Sequence, residues 1–129
     1  MNSQEVLINM LPDALQKIIR HQRYDDILGY FLEENIDDAK IAYRLSVLAT
    51  YIDTIPCHEA VGTLFHFHFN YLEDAYHMAY YHFWRSLELC EFSDTKLLEE
   101  FLQILEEPDF DIVDEEAVNI VVDNLKRNT

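Results

Sequence analysis

Five of the six histidines fall in one stretch: His58, His66, His68, His77 and His82. Imidazole is the commonest metal ligand and exchanges a proton near neutral pH, so chemistry is sought there first. Glu73 and Asp74 stand just before His77, and on a helix either carboxylate shares its face. A di-iron helical bundle needs a carboxylate-x-x-His pair from each of two helices plus two more glutamates. This chain offers one such pair. His66 and His68 would chelate together from a strand, but on a helix they project about 200° apart. The spacing fails the ligand count of a metal centre. The expectation is partly buried histidines in an aromatic helix pair, hydrogen-bonded by tyrosine or carboxylate, with no metal and no cofactor.

Other catalytic patterns are missing too. Two glycines cannot build a phosphate-binding loop, and there is no H-E-x-x-H. There is no G-x-S-x-G, and neither Cys57 nor Cys90 lies in a nucleophile motif. No catalytic residue is assigned, and a non-enzymatic protein is expected. The two cysteines share no short spacing and read as reduced core thiols. The first residues lack a basic leader followed by an apolar run, and no stretch approaches the roughly 18 uncharged apolar residues of a membrane span. A cytoplasmic protein is the expectation.

The elements that would position these residues are helices. A chain of 129 residues with half of them apolar is one ordinary domain, 1–129, with a real core. Scarce glycine and proline argue against the many turns of a strand-rich fold. Helices are expected from a Ser3 cap to Met10, over 12–22 after Pro12, and from Tyr24 to Glu34 with Ile27, Leu28, Phe31 and Leu32 inward. The next runs over 38–53 from an Asp37 cap, with Ile41, Leu45, Leu48 and Ile52 at helical spacing. From Cys57 to Glu91 a split is placed at Asn70, because Asn70 and Glu73 have the form of a capping box. An unbroken helix is the alternative. Phe65, Phe67, Phe69 and Tyr71 alternate with polar residues, which is the period of a strand. The longer helical stripe from Val61 to Leu87 outweighs that window. Ser93 or Asp94 caps a helix to Leu105, stopped by Pro108. Asp114 opens the last, with Ala117, Val118, Val121, Val122 and Leu125 inward. The fold expected is all-α: about seven short-looped antiparallel helices, as a compact bundle or a short stack of helical hairpins.

Nine of the seventeen aromatics lie between Phe65 and Trp84. Most should be core. The run from Tyr80 to Trp84 must wrap around its helix, so Tyr81, Trp84 and Arg85 are candidates for the surface, and these residue types are enriched at binding hot spots. Acids dominate everything else. The chain carries 25 acidic and 9 basic residues, a formal net charge of −16. Residues 33–38 hold four acids, and 106–116 hold seven: Glu106, Glu107, Asp109, Asp111, Asp114, Glu115 and Glu116. Helix N-termini account for some of these, but not for the excess. No D-x-D-x-D-G register suggests calcium. Direct binding of nucleic acid or anionic membrane is disfavoured, since the basic cluster Lys17, Arg20, His21 and Arg23 is small.

In size, acidity and helicity the chain resembles the small acidic immunity proteins encoded beside toxins in bacterial contact-dependent and polymorphic toxin systems. The resemblance spans the chain in character, without a shared motif. It implies one cognate toxin neutralised without catalysis. By that analogy the acidic segment 106–116 and the exposed Tyr81, Trp84 and Arg85 would bind a basic, nuclease-type partner. A nuclease must present a positive groove, and an inhibitor of opposite field associates fast and covers it. The alternative is a helical adaptor that binds a protein or peptide. A histidine-cluster metal enzyme ranks third.

Overall fold

The computed structural model describes residues 2–107, 110 and 114–128. Among them are eight α-helices, a short 3-10 turn and no strand. Helix α1 (Ser3–Asn9) is capped one residue earlier than expected: the Asn2 side chain accepts a hydrogen bond from the Glu5 amide at 2.8 Å. Helix α2 (Asp13–Arg20) starts at Pro12, whose missing N–H costs nothing at a helix start. A 3-10 turn over Tyr24–Asp26 leads into α3 (Ile27–Glu33). Asp38, not Asp37, caps α4 (Ala39–Ile52) by accepting from the Lys40 amide at 3.0 Å. Pro56 sits in the first turn of α5 (Ile55–Phe67). Helices α6 (Ala75–Leu89), α7 (Thr95–Leu105) and α8 (Glu115–Asn128) complete the chain. Asp94 accepts from Leu97 N and Asp114 from Ala117 N, so both act as the caps anticipated. Pro108 lies outside the described residues.

The break between α5 and α6 falls around Asn70, but the capping box does not form. The residue before α6 is Asp74, and it makes no side-chain capping bond. Burial explains why the aromatic alternation misleads. Phe65 and Phe69 are fully buried, one in the last turns of α5 and one in the loop, while Phe67 and Tyr71 point outward. Neither the strand nor the unbroken helix is present in this window.

Helices α5 and α6 form the central hairpin and the most extensive helix pair. Gly62 lets them approach: a Cβ there would stand 3.0 Å from the buried Phe83 ring. Helices α3 and α4 pack on α5, α1 packs on α4, and α7 packs on α6 and carries α8. Phe31, Leu45, Leu48, Phe65, Phe69, Phe83, Leu87 and Phe101 fill one continuous core. Leu32 departs from the expected inward set. It lies in the last turn of the two-turn α3 and is 57% exposed. Val118, Val122 and Leu125 are half-buried rather than inward, because α8 rests on α7 at the edge and buries chiefly Ala117 and Val121. No described helix is long and apolar enough to cross a membrane.

Candidate functional site

The ends of the central hairpin place the connections, and one end gathers three of them. The α3–α4, α5–α6 and α7–α8 connections all meet there. Direct bonds tie them together. His68 Nε2 donates to the Ile36 carbonyl at 2.5 Å, and Tyr71 Oη donates to the Asp37 carbonyl at 3.4 Å. These join the α5–α6 turn to the α3–α4 turn. His66 Nε2 pairs with Glu107 at 2.8 Å, joining the end of α5 to the α7–α8 connection. Tyr80 donates to Asp114 at 3.2 Å, and its ring stacks on Phe110. Burial and the adjacent Asp114 carboxylate push the Tyr80 phenol up to about 12.

This end collects the acids. Glu33, Glu34, Asp37 and Asp38 come from the first connection, and Glu73 and Asp74 from the second. Glu106, Glu107, Asp114, Glu115 and Glu116 come from the third. Three large apolar side chains are exposed among them: Leu32, Phe67 at 61% and Tyr71 at 64%. Among the described residues, the ion pairs of lysine and arginine fall towards the opposite end. Arg20 pairs with Glu5, Arg23 with Asp26, Arg85 with Asp53 and Glu88, and Lys96 with Glu59 and Glu100. Asn128 Nδ2 donates to the Phe92 carbonyl, which places the Lys126–Arg127 end of α8 there too. The molecule therefore has an electrostatic gradient: one end is acidic and apolar, with Lys40 as its base, and the rest holds the ion pairs, its twelve acids facing eight bases.

Of the residues singled out in the sequence, Glu106, Glu107, Asp114, Glu115 and Glu116 stand at this end. Asp109 and Asp111 lie outside the described residues. Trp84 and Arg85 are elsewhere, roughly 15 Å along α6 from its start. Trp84 is half-buried and packs on Phe92 and Phe101, with ring centroids 5.2 and 5.4 Å away. Arg85 is committed to Asp53 through two bonds of 2.9 and 2.6 Å. Tyr81 is 42% exposed and lies edge-on to the His58 ring. Sequence reasoning missed Leu32, Phe67, Tyr71 and the contribution of the α5–α6 turn. The alternating aromatics at 65–71 were the available signal for Phe67 and Tyr71, since alternation is also what a half-exposed turn produces.

The histidine segment separates into two uses. His66 and His68 knit the acidic end. His58 and His82 are wholly buried in a polar chain that crosses three helices. Ser46 Oγ of α4 bonds His82 Nε2 of α6 at 2.6 Å, His82 Nδ1 meets His58 Nδ1 of α5 at 2.9 Å, and His58 Nε2 reaches Asp53 Oδ1 at 2.8 Å. Asp53 follows α4 in the left-handed conformation (φ 53°), and Arg85 closes the chain on it. The Arg85 and His58 hydrogen bonds hold the Asp53 carboxyl well below the usual carboxylate range. Burial, and then the neighbouring His58, lowers His82 to about 3; burial likewise lowers His58. The residue types are those of a hydrolytic triad, yet Ser46 is itself buried. A cleft of about 290 Å³ lined by Tyr24, Leu28, Pro56 and Ala60 includes none of these groups. Among the described residues no three His, Cys, Asp or Glu side chains are placed to hold a metal ion. Cys57 is buried, and burial pushes its thiol up to about 12, far from a reactive thiolate. No family model, curated protein or solved structure matches the chain.

Proposed function

We propose that this protein is a non-catalytic inhibitor that binds a basic protein partner through its acidic end, in the manner of an immunity protein covering the substrate groove of a nuclease-type toxin. The observation that carries this reading is the meeting of three acidic connections around exposed Leu32, Phe67 and Tyr71. Apolar anchors within a charged rim match the anatomy of a protein interface: the anchors supply affinity and the charges speed encounter. Helix electrostatics supply a second argument. Asp38, Asp74, Asp114, Glu115 and Glu116 sit at helix N-termini, where anions are favoured. Glu33, Glu34, Glu106 and Glu107 sit at or just beyond helix C-termini, where the dipole disfavours them. Glu107 has its His66 partner, and a partner protein's positive charge gives the other three a reason to be there. Tyr81, Trp84 and Arg85, proposed from sequence as partner-binding, belong at most to the flank of this surface.

The test is co-expression with the product of the adjacent upstream gene, purification through a tag on this chain, and titration of the complex with salt. A 1:1 complex with a basic protein that is lethal when expressed alone supports the reading. Reversing Glu33, Glu34, Glu73 and Glu106 to lysine should then slow association by about tenfold or more, because steering depends on the summed field. Absence of both complex and toxicity removes the immunity reading. Binding indifferent to salt would favour an adaptor instead.

A further inference from the structure

We propose that the buried chain Ser46–His82–His58–Asp53–Arg85 is a proton-sensitive latch that fastens α4 to the α5–α6 hairpin and releases it on acidification. The inference does not depend on the proposed partner. It begins from the direction of each hydrogen bond. Arg85 only donates, and it donates to both oxygens of Asp53. Asp53 is therefore a carboxylate and only accepts. His58 Nε2 must then carry a hydrogen and donate to it. In a neutral ring that leaves His58 Nδ1 bare, so His82 Nδ1 must donate across the 2.9 Å contact. His82 Nε2 is then bare and accepts from the Ser46 hydroxyl. Every bond is satisfied in one direction only, with both imidazoles neutral.

One added proton can be accommodated. It charges His58 beside Asp53, His82 turns to its other tautomer, and Ser46 accepts instead of donating. A second proton cannot enter, because two Nδ1–H groups would then face each other across 2.9 Å. The surroundings offer little relief. The charged and titratable groups facing the pair are Asp53 from the end of α4, and Tyr81 and Arg85 from α6. Arg85 adds positive charge and opposes protonation of His58. Once α4 parts from the hairpin, both rings are free to charge with ordinary values of about 6.5. The sign follows. Folded-state affinity for protons is depressed, so the fastening is fully present above pH about 6.5 and weakens as pH falls below it. His58 and His82 both belong to the α5–α6 hairpin, the most extensively packed helix pair, whereas Ser46 and Asp53 come from the less extensively packed α4, so α4 is the element released; α7 and α8 contribute nothing to the chain.

The test compares hydrogen exchange of α4 with that of α7 at pH 7 and pH 5, each corrected for intrinsic exchange. In the wild-type protein the opening constant of α4 should rise up to about tenfold per pH unit below pH 6, against α7 as internal reference, because opening admits the second proton that the closed chain refuses. His82→Gln presents an amide that donates to His58 and accepts from Ser46 without titrating, and by removing the second proton site it should flatten the rise. Imidazole nitrogen spectra of the wild-type protein at pH 7.5 should show His82 protonated on Nδ1 and His58 on Nε2, whether or not the variant folds. Equal loss of protection in α4 and α7, a His82→Gln protein that follows wild type, or the opposite tautomers would overturn the latch.

Discussion

Trp84 and Phe67 exchange the roles their types suggest. A lone tryptophan beside tyrosine and arginine in sequence looks like a binding anchor. In the fold it packs on Phe92 and Phe101, at the junction of α6 and α7. Phe67 has the residue type of a core but is among the most exposed large side chains, on the acidic end. The expected outcomes differ accordingly. Trp84→Ala should cost about 2–3 kcal/mol in chemical denaturation, somewhat under the figure for a fully buried aromatic. It should leave partner affinity unchanged at temperatures where the variant is folded. Phe67→Ala should barely move the melting temperature, yet weaken partner binding by at least tenfold, as loss of an interface anchor does. Sequence could not reach this assignment because it turns on contacts across the fold. Arg85 makes the same point: its partner Asp53 is 32 positions away, and no local pattern joins them.

At the scale of elements, the helix periodicities and most N-terminal caps were legible, and most errors among the caps were a single residue. Asn2 replaced Ser3, and Asp38 replaced Asp37, because neighbouring residues of equal capping ability compete and the turn geometry decides. The C-termini of α1, α2, α3, α4 and α7 fell within two residues of their expected places, although the usual chemical signal is absent. Helices often end on a left-handed glycine. Neither glycine here has positive φ; Gln22, Asn35, Asp53, Glu91 and Phe92 take that conformation instead. The bonds of the motif are intact: Arg23 N–H to Ile18 O, Ile36 N–H to Phe31 O, and Phe92 N–H to Leu87 O at 2.9, 3.0 and 2.8 Å. An L side chain in this region costs roughly 1–2 kcal/mol, less for asparagine or aspartate, whose short side chains bond locally. Glu91 has no such compensation and is exposed. Glu91→Gly should therefore raise stability by about 1 kcal/mol, read as a higher denaturant midpoint at unchanged slope. A lower midpoint would mean that the Glu91 side chain itself supports the α6–α7 turn.

The whole molecule shows what composition can and cannot convey. A net charge of −16 is visible in any count, but its placement depends on helix direction, and direction is set by how many helices fold back before each acidic segment. One helix fewer would move the α7–α8 acids to the other end. With the observed order, three acidic turns are held together against their mutual repulsion. Screening has a range of about 10 Å at 0.1 M salt, so neighbouring turns within that range repel most strongly in dilute buffer. The His66–Glu107 pair relieves part of this. Among the described residues Glu33, Glu34 and Glu106 make no such ion pair, and they stand where the helix dipole also opposes them. The triple variant Glu33→Gln, Glu34→Gln, Glu106→Gln should therefore melt higher than wild type in low salt, by an amount equivalent to about 1 kcal/mol or more from the three sites together. The gap should close as salt is raised, because added ions do for the wild-type protein what the substitutions do for the variant. If the acidic end is the binding surface, the same variant should associate more slowly with its partner while being the more stable protein, the trade expected where charge is kept for function at a cost in stability. A variant that melts lower than wild type in low salt would show that these carboxylates support the fold, and would remove the electrostatic argument that selects them as partner-facing.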